Sequence, residues 1–193
     1  IKEMMNAEAV GQYAAAVRLS EVWYFIPIVI TASLFPAIIN AKKKNENLYY
    51  LRLQRLYDFM AFMGIAIAVT MTFLSTWITE LLYGAQYNQA GSVLVIHIWA
   101  GVFVFLGVAS AKWFIIENLQ MLTLQKTFYG MITNIILNFI LIPKYGIQGA
   151  AFATLASQAT ADYIVDFFYI KTRKVFYMKS KSIFFINILR KVN

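Results

Sequence analysis

The stretch YAAAVRLSEVWYFIPIVITASLFPAIINAKKK, Tyr13 to Lys44, decides the fold. From Val22 to Ala41 no side chain in it carries a charge. Twenty helical residues rise ~30 Å, the thickness of the apolar part of a bilayer. Pro27 and Pro36 lie inside this span; each removes a backbone donor, which predicts a bend. Arg18 and Glu21 stand at its entrance, and Lys42, Lys43 and Lys44 close its exit. A soluble core helix needs neither feature. A membrane helix with one working face and one cytoplasmic end uses both.

The rest of the chain agrees with that reading. Hydrophobic residues make up 61% of the 193 positions and charged residues only 13%, and the mean hydropathy is +0.63. These values lie far from a globular composition and predict an all-α integral membrane protein. The ~10-residue alternating segments of a membrane β-barrel are absent. Cysteine is absent, which excludes a disulfide, a thiolate nucleophile and a cysteine metal site. No spacing of residues calls for a metal or another cofactor. The net charge of +8 would suit nucleic acid, but the basic residues sit between apolar spans and in the tail. That placement predicts membrane lipids as partners, and no nucleic acid.

Five transmembrane helices are predicted, at about 12–40, 58–82, 92–112, 119–143 and 149–170, with a basic tail over 171–193. The connection AKKKNENLYYLRLQR is amphipathic in its later part, which lies at the interface or extends the second helix. Only five residues separate Pro143 from Gly149, so the fourth and fifth helices are expected to form an antiparallel hairpin. With five spans, the first loop, the third loop and the tail share one side. That side holds Lys42, Lys43, Lys44, Arg52, Arg55, Lys112, Lys126 and seven tail residues, which is fourteen of the seventeen basic residues. It is therefore the cytoplasmic side. The chain starts at Ile1, outside by this count, and enters a span almost at once. The expectation is that at least one helix precedes it.

At the last two spans the sequence resembles a known family. NIILNFILIPKYGIQGAAFATLASQ is similar to the penultimate helix hairpin of bacterial polysaccharide flippases, the Wzx-type O-antigen and capsule transporters of the multidrug/oligosaccharidyl-lipid/polysaccharide superfamily. The matching residues are Asn134, Asn138, Leu141 to Pro143, Tyr145 to Ile147, Gly149 to Ala151, Ala153 and Thr154. LLYGAQYNQAGSVLVI resembles the turn between that family's ninth and tenth helices, and VGQYAAAVRLSEVWYFIP with SLFPAI resembles its eighth. The resemblance implies a twelve-helix, MATE-like transporter of two six-helix bundles, of which this chain is most of the second. It implies that the partner is a missing N-terminal half. The task it implies is movement of an undecaprenyl-diphosphate-linked oligosaccharide across the bacterial cytoplasmic membrane by alternating access, without a catalytic residue.

Several polar residues are candidates to line the substrate cavity. Arg18 and Glu21, three apart, share a helix face close enough to pair. Arg18 breaks the positive-inside pattern; it is a candidate to attract the diphosphate, and otherwise a helix-end residue snorkelling to the interface. Lys126, Gly130, Asn134 and Asn138 recur every four residues, a stripe that faces sugar hydroxyls or bonds between helices. Lys126 is expected to be an interfacial anchor. Thr154, Gln158, Asp162 and Asp166 also recur every four. Gln158 joins the cavity candidates, and Asp162 is the candidate ion-coupling carboxylate or else pairs with a nearby lysine. Asp166, five residues before Lys171, is expected to pair with a neighbouring cytoplasmic-side lysine. His97, the single histidine, is expected to be structural. The tail is expected to bind anionic headgroups.

Three other functions fit parts of the pattern. A drug exporter or a lipid II flippase would share the superfamily. A membrane-embedded transferase would need a clustered acid, base or metal site, and the loops offer none. A membrane scaffold would not need polar stripes on its helices.

Overall fold

The computed structural model describes residues 5–186. Lys2, Arg190, Lys191 and the end of the SIFFINIL stretch lie outside them. Helix α1 (Ala7–Glu21) passes through a 3-10 turn (Val22–Tyr24) into α2 (Phe25–Lys44). The turn falls beside Pro27, whose missing N–H leaves a carbonyl one turn earlier without its helical partner. The Thr31 hydroxyl donates to the Pro27 carbonyl. Asn45 leaves the helical conformation and accepts from the Asn47 and Leu48 amides, ending α2 and capping α3 (Glu46–Tyr83). The amphipathic LYYLRLQRLY portion thus extends the second helix. Tyr49, Leu53, Leu56 and Tyr57 on it, and Met60 just beyond it, are buried in one cluster with Phe105, Leu106, Trp113 and Phe114.

Gly84, at φ 86°, stops α3 where an L-residue would be strained. After a 3-10 turn (Ala85–Tyr87) come α4 (Asn88–His97) and α5 (Ala100–Ile116). The third predicted span is therefore broken: its two helices meet at a bend of 48°. No proline causes it. Around Ile98 the Trp99, Gly101 and Val102 amides bond three residues back, tightening the helix locally.

Helix α6 (Gln120–Ala159) continues through a π-turn (Thr160–Ile164) into α7 (Val165–Phe168). It is not one rod. Gly146 adopts φ 57°, ψ −136°, a conformation open to glycine and strained for other residues. There the chain folds back. The Gly149 Cα lies against the Leu141 backbone so closely that a Cβ would collide with the Leu141 carbonyl. Further along, the Ser157 hydroxyl donates to the Gly130 carbonyl at 2.9 Å. A straight helix would hold Gly130 and Ser157 ~40 Å apart. The antiparallel hairpin expected from Pro143 and Gly149 is what the contacts describe. A last helix, α8 (Arg173–Ile183), packs across α3 and α7.

Among the described residues, three helical stretches are long and apolar enough to cross a membrane: Ala7–Lys44, Glu46–Tyr83 and Gln120–Phe168. There are four if the bent pair counts as one span. The protein is an all-α, multi-pass membrane protein.

Candidate functional site

Charge and polarity meet in one place inside this apolar bundle. A cavity of about 490 Å³ opens between α1, the end of α4 and both legs of the hairpin. Helix α1 contributes Tyr13, Val17 and Glu21, and α4 contributes His97. The first leg contributes Thr127, Gly130, Met131 and Asn134; the second contributes Thr154, Ser157, Gln158, Ala161 and Asp162.

The two polar stripes come together through the turn. Asn134 and Gln158 each lie twelve residues from Gly146, and Gly130 and Asp162 each lie sixteen. Lys126 and Asp166 each lie twenty. An antiparallel hairpin brings residues equidistant from its turn to the same level. Small residues let the legs approach: a Cβ on Gly130 would stand 2.8 Å from the Ala161 Cβ. Asp162 has room for a similar reason. Its carboxyl group lies over Gly107 of α5, where any Cβ would collide with it.

The walls are held by hydrogen bonds. The Tyr13 hydroxyl shares one with Thr154 Oγ1 at 3.0 Å, joining α1 to the hairpin. Gln12 donates to the Gln86 carbonyl at 2.6 Å and accepts from the Ala90 amide at 3.0 Å, fixing α1 to the start of α4. Tyr13 also meets His97 edge-on at 6.2 Å between ring centroids. His97 is buried, and its Nδ1 has no hydrogen-bond partner.

The predicted residues divide. Glu21, Asn134, Gln158 and Asp162 line the cavity. Arg18 is exposed on α1 and does not line it, and no ion pair joins it to Glu21 among the described residues. Asn138 lies beyond the lining and donates from Nδ2 to Asn134 Oδ1 at 2.9 Å, orienting that amide.

Below the cavity lies a buried charge cluster. Asp166, fully buried, has Lys126 Nζ 2.7 Å from one carboxylate oxygen and Lys179 Nζ 2.7 Å from the other. Lys179 also donates to the Asp162 carbonyl, in the π-turn, at 2.6 Å. Burial draws the Lys179 ammonium down to about 8, against the pull of the Asp166 carboxylate. Lys126 is therefore no interfacial anchor. Only 4% exposed, it reaches Asp166 across the hairpin because the legs run antiparallel. Asp166 pairs with lysine, as the sequence predicts, and its partners are Lys126 and Lys179. Lys179 lies inside the bundle, out of reach of lipid headgroups. Its helix is fastened to α3 by Ser182, which donates to Asp58 at 2.7 Å, and by Gln54, which donates to the Met178 carbonyl at 3.0 Å.

Among the described residues no cluster of three or more His, Asp or Glu is placed to hold a metal ion. The arrangement offers hydrogen-bond donors and acceptors, one aromatic face and two carboxylates, set in an apolar bundle. It can hold a hydroxylated molecule and neutralise or release a cation.

Known proteins were compared with this chain. Residues 1–93 match the family described as polysaccharide biosynthesis protein. The capsular polysaccharide biosynthesis protein CapF of Staphylococcus aureus is 23% identical over 145 residues, covering 75% of this chain and 36% of that protein. A Haloferax volcanii protein named "Probable low-salt glycan biosynthesis flippase Agl15" is 27% identical over 174 residues, covering 84% of this chain and 36% of that protein. The chain thus spans about a third of the length of the curated relatives it matches. No solved structure matches. The family match and both relatives support the resemblance read from the sequence: the chain is similar to polysaccharide biosynthesis proteins and to a protein named as a probable glycan biosynthesis flippase.

Proposed function

We propose that this chain is part of a flippase, a transporter rather than an enzyme, that carries a lipid-linked oligosaccharide across the bacterial cytoplasmic membrane. The observation that carries the reading is the polar cavity of Glu21, His97, Asn134, Gln158 and Asp162 inside an apolar bundle, on a chain related to glycan-biosynthesis proteins. Counting the bent pair once and the hairpin legs separately gives five spans, most of one six-helix bundle. The rest of the transporter supplies the other wall, and the two bundles exchange inward-open and outward-open states. Asn134 and Gln158 bond sugar hydroxyls, with Asn138 setting the Asn134 amide. Asp162 carries the coupling ion. Arg18, outside the cavity, meets the diphosphate at its approach. The tail lies on the cytoplasmic side.

The test is restoration of polysaccharide export in a strain lacking its own flippase, using the full-length protein that contains this chain. Export is expected to return with the full-length protein and not with the 193-residue chain alone. Failure of the full-length protein, with its glycan made and lipid-linked, would refute the reading.

A further inference from the structure

A second feature shares no residue with the cavity. Between α2 and α3 runs a groove of about 370 Å³, with Ile38 and Leu56 buried in its floor and Leu34 and Phe59 exposed along it. Arg52 and Arg55 also line it. Three residues apart, they share one face of α3. Arg52 donates to the Ala37 carbonyl at 2.6 Å, which fixes its guanidinium against α2. No carboxylate forms an ion pair with either arginine among the described residues. Two arginines without an ion pair among the described residues therefore stand beside an apolar slot.

The depths match a lipid. Arg52 and Arg55 lie six and nine residues past Glu46, ~9 and ~14 Å along α3 from the Lys42–Lys44 turn, whereas Phe59 lies ~20 Å from it. On a membrane helix this puts the cations near headgroup level and Phe59 deeper, with Ile38 and Leu34 of α2 beside the arginines. A guanidinium bonds phosphate oxygens two at a time. The geometry points to a binding site for one anionic phospholipid of the bilayer, its phosphate between Arg52 and Arg55 and an acyl chain along Leu34, Ile38 and Phe59. A zwitterionic lipid carries its own cation into the site and loses the charge advantage. A lipid-linked glycan would need its sugars in the cavity, which this groove does not border.

The test uses the full-length protein that contains this chain, purified in micelles holding equal amounts of phosphatidylglycerol and phosphatidylcholine, with retained lipid counted by native mass spectrometry. Phosphatidylglycerol is expected to be enriched by about fivefold for each arginine engaged. The enrichment is expected to vanish in the Arg52→Gln/Arg55→Gln variant and to survive Lys43→Gln/Lys44→Gln, which alters basic residues outside the groove. Enrichment that persists without the arginines, or that falls equally with the lysines, would overturn the proposal. A second measurement needs no variant. Phosphatidylglycerol with a photoactivatable acyl chain is expected to crosslink the wild-type chain at Leu34 or Phe59, and crosslinks confined to other helices would overturn it.

Discussion

Lys126 on the first leg of the hairpin and Asp166 on the second form a buried ion pair at 2.7 Å, although forty residues separate them in the chain. Lys179 completes the cluster from the tail helix. Taking three charges out of water is costly, and their attraction offsets that cost only while the set is complete. Asp166→Asn leaves two buried ammonium groups without their acid. It is expected to destabilise the protein by about 3–5 kcal/mol in detergent unfolding. The triple replacement Lys126→Met, Asp166→Leu, Lys179→Met removes every charge and is expected to recover most of that loss. A triple variant as unstable as Asp166→Asn would show that uncompensated charge is not the source of the loss.

Gly146 makes the turn on which the pairing of the legs depends. Its φ of 57° with ψ of −136° strains any L-residue. Gly146→Ala is expected to cost about 1–3 kcal/mol. Thermal unfolding monitored by circular dichroism checks this. An unchanged midpoint would mean that the turn is not held in this conformation.

Gly107→Ala probes Asp162 from behind. The added Cβ meets only the end of the Asp162 side chain, which can swing away, so stability is expected to change by less than about 1 kcal/mol. The displaced carboxylate would enter the cavity. In the full-length protein, export is expected to fall at least about tenfold, the scale of a misplaced functional group. Normal export together with normal folding would separate Asp162 from the transport step.

Much of this was legible before the structure. The apolar helices, the hairpin and the helical extension at Tyr49 to Tyr57 follow from hydropathy, from Pro143 and Gly149, and from amphipathic spacing. The bend at Ile98 has no proline to announce it, and it arises from a local change of hydrogen-bond register. A lysine partner for Asp166 is legible in the sequence, but Lys126 looks like a helix-end charge when its own neighbourhood alone is considered. Their equal distance from Gly146 was the available signal. The same symmetry pairs Asn134 with Gln158, which line one cavity. Lys179 had no such signal: only the docking of α8 on α3 carries it inward. Arg18 is a cavity candidate because charge in an apolar span is costly; its side chain is exposed on α1, and Glu21 rather than Arg18 lines the cavity.

The central claim is transbilayer movement of a lipid-linked glycan, and its most direct measurement is in vesicles. The full-length protein is reconstituted with an undecaprenyl-diphosphate-linked oligosaccharide, and the fraction of sugar reached by an external glycosidase is followed over time. The account predicts that the inner-leaflet fraction becomes accessible with the wild-type protein and stays protected with Asp162→Asn. Protection equal to that of protein-free vesicles would contradict it.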